Sequence, residues 1–316
     1  MPKVYVAGHA GLVGTSLSRL LRLSGYEVLE ADRASLDLTD RRATEAFLLS
    51  ERPDIVIDAA ARVGGILDNA AYPADYIRDN LLIQTHLIHA SWLAGVRRFL
   101  FLGSSCIYPR DAAQPLQPSS LMTGALEPTN RAYAMAKLAG IEMCLSYRQQ
   151  HGFPVICVMP TNLYGPGDRF DPQRSHVIPG LISRISAAAE QGVEQVSLFG
   201  TGRALREFLF VDDLAAAILR MLDGKGWSPI VNVGSGEEVS IAHLADAVAK
   251  VVGYEGRLSF ELDGPDGTPR KLLDSTEIRE SGWRPEVGLE DGIRLAWQWF
   301  KSEARAPHDK VTGYRP

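Results

Sequence analysis

The sequence predicts an α/β protein, a Rossmann-type doubly wound parallel sheet carrying a smaller C-terminal α/β substrate-binding lobe. Three observations predict it. Apolar runs rich in β-branched residues alternate with helical periodicity through the first half of the chain. The first run ends in a glycine turn that leads into a helix-like segment. Polar, chemistry-bearing residues fall just after the apolar runs, at the strand ends where such sheets bind ligands.

Lys3–Ala7 is the first strand, followed by Gly8-His9-Ala10-Gly11-Leu12-Val13-Gly14, and then Leu17, Leu20 and Leu21 at helical spacing. Strand, glycine turn and helix in that order point to a dinucleotide site. Glycines let a pyrophosphate approach the backbone, and the helix N-terminus offers N–H groups and a positive dipole end. Gly8, Gly11, Leu12, Val13 and Gly14 are the candidate contacts. A second strand, Tyr26–Ala31, ends at Asp32-Arg33. An acid there suits a free ribose 2′-hydroxyl and an arginine a 2′-phosphate, so these two residues leave both cofactors open. Asp37–Arg52 reads as a helix and Asp54–Ala59 as the third strand. Ala59, Ala60 and Ala61 are either a small-residue bed for a cofactor or a plain strand end. Ala74–Ala94 is helical, and its Asn80 either bonds backbone inside the fold or faces solvent.

Val96–Leu102 is the fourth strand, and it opens into Gly103-Ser104-Ser105-Cys106-Ile107-Tyr108-Pro109. Arg110–Thr129 is a long polar connection of the kind that is either disordered or functional. The next helix runs to about Gln150 and carries Tyr133 and Lys137, four residues apart and therefore on one face. An ammonium beside a phenol lowers the phenol's pKa, which suits it to proton exchange with a carbonyl or alcohol. A Ser104 hydroxyl would hold the same oxygen. Pro154–Met159 is a further strand, closed by Pro160-Thr161-Asn162-Leu163-Tyr164-Gly165-Pro166.

Beyond Asp168 the pattern changes. A loop, Asp171–His176, leads into a helix over Val177–Gln191; strands follow at Val196–Phe199 and Arg206–Val211, and Asp212 begins another helix. A strand ends at Val231-Asn232-Val233, Ser240 caps a helix over Ile241–Val252, and a last helix covers Leu289–Phe300. The expected organisation is a dinucleotide-binding domain over 1–165 with some later segments returning to it, a substrate lobe over 166–300, and a polar, poorly ordered tail over 301–316.

Composition bounds the function. A net charge of −5 on 316 residues argues against a general nucleic-acid or membrane-surface role. No stretch approaches the roughly 18 apolar residues of a membrane span. Met1-Pro2-Lys3 runs straight into a strand and leaves no room for a signal peptide. Cys106, Cys144 and Cys157 form neither a metal-ligand spacing nor a disulfide framework, so the expectation is a cytoplasmic protein in a reducing compartment with no metal.

The glycine turn, the Ser104 loop, Tyr133-Ala134-Met135-Ala136-Lys137 and Pro160-Thr161-Asn162 together resemble the extended short-chain dehydrogenase/reductases, over about residues 3 to 300. Ser175-His176-Val177-Ile178-Pro179, Arg206-Glu207-Phe208-Leu209 and Arg270-Lys271-Leu272-Leu273-Asp274 narrow the resemblance to the branch that epimerises and reduces GDP-linked 4-keto sugars. The resemblance implies a GDP-sugar substrate and NADPH, with NADH as the alternative. Ala10 stands where some relatives carry a basic residue, and Asp32 precedes Arg33. It gives the proton exchange beside the keto group to Cys106 and His176, and the proton for the reduced oxygen to Tyr133. Lys137 would lower the Tyr133 pKa and hold the nicotinamide ribose, and Ser104 would orient the oxygen. Further implied cofactor contacts are Arg33, Ala59, Ala60, Pro160, Asn162, Leu163 and His176. Asn162, Arg184, Phe199, Arg206 and Lys271 join Ser104, Cys106 and His176 on the substrate side, with the three cations on the diphosphate. Phe199 replaces a tryptophan of some relatives. Apart from the family, Cys106 reads as a small buried residue, His176 as structural, and each cation as one half of a surface ion pair.

A dehydratase would be expected to show an Asp-Glu pair where this chain has Ser105-Cys106, and a simple 4-epimerase needs no base like Cys106. The remaining alternatives are the same chemistry on a 3-deoxy sugar (GDP-L-colitose) or a heptose, and a non-catalytic dinucleotide-binding protein. The resemblance also implies a homodimer through the helices before and at Tyr133.

Overall fold

The computed structural model describes residues 1–171, 175–224, 226–261 and 267–305. In it the apolar runs become strands shielded on both faces. The chain begins with β1 (Lys3–Ala7), α1 (Leu12–Leu23), β2 (Glu27–Leu29), α2 (Arg41–Glu51), β3 (Ile55–Asp58), α3 (Ile66–Ala71), α4 (Pro73–Leu93) and β4 (Arg98–Leu102). It continues through α5 (Arg131–His151), β5 (Val155–Pro160), β6 (Asn162–Tyr164), α6 (Val177–Gln191), β7 (Gln195–Phe199), β8 (Leu205–Phe210) and α7 (Val211–Asp223). It closes with β9 (Ile230–Val233), β10 (Glu238–Ser240), α8 (Ile241–Val252), β11 (Arg257–Glu261), β12 (Arg270–Lys271), α9 (Thr276–Glu280) and α10 (Leu289–Arg305).

The central sheet has six parallel strands in the order β2-β1-β3-β4-β5-β9. Alternate residues of each strand serve opposite faces. Tyr5, Phe99, Phe101, Val155 and Met159 pack with Leu48 of α2, Leu87 of α4 and Ile141 of α5. Val4, Val6, Leu100, Ile156 and Val158 pack with Leu17 of α1 and Ile218 of α7. Burial on both faces is why these strands read as continuous apolar runs rather than as alternating ones. Leu100 is completely buried, so Leu100→Ala would cost about 2–5 kcal/mol.

Strand order reverses at β1 and β3, and the crevice between their carboxyl ends is where such a sheet takes its ligand. The chain returns to this sheet late: β9 pairs with β5 from Cys157↔Ile230 to Pro160↔Val233. A separate core of Ile182 and Ile185 of α6, Leu198, Phe208, Leu244 of α8 and Ile293 of α10 holds the C-terminal part together. There β8 is central, flanked by β10 and β12, with β6 also pairing to it, and β11 pairs with β7.

Several boundaries differ from the sequence expectation. α2 begins at Arg41, not Asp37, because Asp40 caps it through Ala43 N–H at 3.0 Å while Asp37 is engaged in a turn with Thr39. α3 is too short to leave a periodic signal. α10 runs past Phe300 to Arg305, with the Lys301 ammonium 3.5 Å from the centre of the Trp297 ring. The rest of the expected tail, 306–316, lies outside the described residues, as do Pro172, Gln173 and Arg174 of the loop before His176. The Arg110–Thr129 connection is tied down: Arg110 N–H donates to Ala125 O at 2.9 Å, and Leu116 bridges Leu273.

Candidate active site

The glycine turn is shaped by the two strands that flank the crevice. Gly8 has φ +79°, the left-handed region that favours glycine, and a Cβ there would lie 2.7 Å from the Ala59 carbonyl oxygen. A Cβ on Gly14 would lie 2.1 Å from the Gly8 carbonyl, so both positions require glycine. Gly11 is the N-cap of α1 without a side-chain cap, and the first turn holds no acidic residue. Its N–H groups and dipole therefore face outward toward an anion. Across the turn, Ala59 and Ala60 end β3, and Asn80 pins the chain just beyond them. Its side chain accepts from Arg62 N–H at 2.9 Å and donates to Tyr76 O at 2.8 Å. That settles the two readings of Asn80 in favour of backbone bonding. The Asp32 carboxylate accepts from Ser35 N–H at 2.8 Å, and those Ser35 bonds hold it below the usual carboxylate range. Asp32 is thus occupied within its own turn, with exposed Arg33 beside it. These residues fit a dinucleotide.

The Ser104 loop leaves the end of β4. Ser104 accepts from Cys106 N–H at 3.2 Å as the cap of a 3-10 turn. Tyr108 secures the loop by donating to Asn232 Oδ1 at 2.6 Å, and Asn232 in turn donates to Leu116 O at 2.9 Å. From α5, Tyr133 is half-buried and Lys137 is only 3% exposed. The Lys137 ammonium donates to Leu102 O at 2.8 Å and lies 4.6 Å from the Phe101 ring centre. Asp58, Phe101 and Cys157 form one row across β3, β4 and β5. Asp58 is fully buried, its Oδ2 has no hydrogen-bond partner, and burial pushes its carboxyl up to about 6 against the pull of Lys137.

This arrangement corrects one expectation. Lys137 does not lower the Tyr133 pKa, because its ammonium is turned to the end of β4 and to Asp58. Burial, then the nearby Cys106, pushes the phenol up; a hydrogen bond to Ser104 works the other way, and Asp58 adds to the rise.

The opposite side of the cleft comes from distant parts of the chain. Lys271 on β12 donates to Cys106 Sγ at 3.4 Å. Burial would raise the Cys106 thiol, but Lys271, Ser104 and Arg206 outweigh it and bring the thiol below the ordinary cysteine value. Lys271 and Arg206 are register partners on β12 and β8. His176, the N-cap residue of α6, is exposed at its rim; desolvation of the ring, then Lys271, pushes the imidazole below its ordinary value.

Asn162 donates to Glu207 O at 2.8 Å; Pro160 ends β5, and Leu163 follows Asn162 in β6. Arg184 and Phe199 meet each other, the guanidinium 5.0 Å from the ring centre, and Arg184 donates to Ser197 O at 3.3 Å. The structure therefore joins Ser104, Cys106, Tyr133, Lys271 and Arg206 electrostatically, adds His176 through Lys271, and leaves Arg184 and Phe199 as a pair on α6 and β7. Sequence reasoning missed Asp58, hidden inside an apolar run, and Glu207. The latter is fully buried and accepts from Gly236 N–H at 2.6 Å and Leu273 N–H at 3.1 Å, which fixes β12. A charged residue inside an otherwise buried motif was the available signal for both.

Comparison with known proteins gives this geometry its context. A GDP-L-fucose synthase 1 of Arabidopsis thaliana is 51% identical over 299 residues, covering 94% of this chain and 93% of that protein. A GDP-L-fucose synthase of Escherichia coli K12 is 48% identical over 308 residues, covering 94% and 96%. Among solved structures, a GDP-mannoheptose C4 reductase from Campylobacter jejuni with NADP bound superposes with a TM-score of 0.85 at 34% identity, covering 95% of this chain and 98% of that one. Residues 4–234 match the NAD dependent epimerase/dehydratase family, and with relatives this similar over nearly their full length, the chain belongs to that family.

Proposed function

We propose that this protein converts GDP-4-keto-6-deoxy-D-mannose to GDP-L-fucose, by epimerisation at C3 and C5 followed by NADPH-dependent reduction at C4. The observation that carries the reading is the Cys106–Lys271 contact within one cleft with Tyr133, in a chain so similar to plant and bacterial GDP-L-fucose synthases.

The 4-keto group acidifies the protons on C3 and C5, because the carbanion delocalises into an enolate. Cys106 and His176 exchange those protons; the Cys106 thiol is shifted down toward the neutral range, and the lowered His176 keeps the imidazole neutral with one N–H to give. Ser104 hydrogen-bonds the C4 oxygen and Tyr133 delivers its proton. The raised Tyr133 pKa keeps the phenol protonated, as a donor must be. NADPH, when bound, supplies the hydride for C4. The glycine turn holds its pyrophosphate, Arg33 its 2′-phosphate, and Lys137 its nicotinamide ribose, with Ala59, Ala60, Pro160, Asn162 and Leu163 lining the path. Arg206 and Arg184 take the GDP diphosphate, and Phe199 lines the sugar-nucleotide pocket. The dinucleotide part then spans 1–165 together with the returning α7 and β9, and the later residues form the substrate lobe.

No described helix is long and apolar enough to cross a membrane. The reading adds a cytoplasmic setting and a homodimer through α4 and α5, on which Leu82, Leu93 and Met135 are exposed. Light scattering giving the monomer mass alone would remove the dimer. For the reaction, purified protein is mixed with GDP-4-keto-6-deoxy-D-mannose and NADPH or NADH, absorbance is followed, and the product is identified by NMR. GDP-L-fucose with faster NADPH oxidation is expected. No oxidation with this sugar, together with turnover of a GDP-heptose ketone, would replace the reading by a heptose one.

A further inference from the structure

We propose that Lys271 is a positioning residue that holds Cys106 as a thiolate, making the cysteine the base that opens epimerisation. The proposal rests on the epimerase reading above and adds to it what the Cys106–Lys271 contact does, a use of the lysine distinct from service on the diphosphate.

The geometry is specific. Lys271 Nζ stands 3.4 Å from Cys106 Sγ, and both neighbours of Lys271 fix the direction of its side chain. Arg270 is clamped to Glu238 by two bonds, at 2.7 and 2.5 Å. On the other side, Leu272 N–H donates to Gln114 Oε1 at 2.9 Å and Leu273 N–H to buried Glu207. Alternation along the strand then sends Arg270 outward and Lys271 into the cleft. A long, flexible lysine gains its effect here because its strand is held at both ends.

Burial works against the thiolate, and three of the four groups around Cys106 favour it. Ser104 comes from the β4 loop, Tyr133 from α5, Arg206 from β8 and Lys271 from β12. The two cations, Lys271 and Arg206, and the Ser104 hydroxyl favour the thiolate, and Tyr133 is a protonated phenol beside it. An ammonium in contact with a thiol favours the thiolate, which is the nucleophilic and basic form. The thiolate takes a proton from the carbon beside the keto group: the C–H bond breaks, an S–H bond forms, and the electron pair moves onto the C4 oxygen as an enolate. His176, exposed at its rim, returns a proton to the carbon: the enolate pair moves back onto the carbon and takes one ring N–H, while the other ring nitrogen takes a proton relayed through water from the Cys106 S–H, which restores the thiolate.

The test is the pH dependence of Cys106 alkylation by iodoacetamide, with Cys106→Ser as the blank for the buried Cys144 and Cys157. Lys271→Met should move the midpoint to higher pH and slow alkylation at pH 7 by about tenfold, whereas Lys271→Arg should keep most of the wild-type profile. Binding of GDP alone, by calorimetry, separates the two uses of the lysine. Weaker GDP binding by Lys271→Met with an unchanged alkylation profile would overturn the proposal. Should Lys271→Met not fold, the thiolate absorbance of wild type minus Cys106→Ser gives the Cys106 midpoint directly. A midpoint at or above that of an ordinary cysteine would overturn the proposal equally. None of these measurements uses the keto sugar. A shifted thiol in a protein that does not turn over GDP-4-keto-6-deoxy-D-mannose would refute the function and leave the lysine pair standing.

Discussion

The two sides of the cleft each bring a lysine toward a proton-exchanging group, with opposite results. On the Tyr133 side, Lys137 is buried against Phe101 and Asp58 and bonds the Leu102 carbonyl, and the Tyr133 phenol is raised. On the Cys106 side, Lys271 contacts the sulfur itself and the thiol is lowered. Proximity in sequence did not decide the outcome. Lys137 is one helical turn from Tyr133, while Lys271 is 165 residues from Cys106. What decides is whether an ammonium stands against the group to offset its burial: Lys271 does so at Cys106, whereas burial and Cys106 set the Tyr133 phenol. The difference suits two tasks, because a proton donor must keep its proton and a base must lose it.

Substitutions can break or sharpen this contrast. Cys106→Ser has the largest expected effect, a fall of about 10²–10⁴-fold in deuterium uptake at C3 and C5 of the keto sugar, with NADPH binding by fluorescence unchanged. Uptake at the wild-type rate would remove Cys106 as the base.

Asp58→Asn addresses the other side. The Asp58 carboxyl is raised from 3.8 to about 6, so it contributes stability below about pH 3.8 that is lost as pH rises through about 6. Asparagine mimics the protonated form at every pH. Urea unfolding should therefore show the variant gaining about 2 kcal/mol relative to wild type between pH 4 and pH 7.5. A constant difference across that range would mean that Asp58 is not a buried, titrating carboxylate. The smallest effect is expected at Arg184→Ala, where an exposed cation–π contact with Phe199 contributes about 0.5–1 kcal/mol to stability. Its weight should appear in the KM for the GDP-sugar rather than in kcat.

The same contrast explains what the sequence disclosed. Features set by neighbours in the chain were legible: the glycine turn, whose spacing is a backbone requirement at Gly8 and Gly14, and α6, bounded at Val177 and Gln191 as its periodicity predicts. Tyr133 and Lys137 were legible as a pair, but not the rise of the phenol, because burial and Cys106 set it and the anchors of Lys137, Leu102 O and Asp58, come from other strands. β12 is two residues long and held by Glu207, so no periodic signal announces it, and the Lys271–Cys106 contact exists only once β8 and the Ser104 loop are in place. Asp58 was read as part of a strand, which it is; its burial beside Lys137 follows from the register Asp58↔Phe101 alone.

Tyr133→Phe in D₂O tests the division of labour most directly. With GDP-4-keto-6-deoxy-D-mannose and NADPH, the account predicts that deuterium enters C3 and C5 at close to the wild-type rate while NADPH oxidation falls by about 10²–10⁴-fold. Loss of both together would contradict it, because one group would then be serving both sides of the cleft.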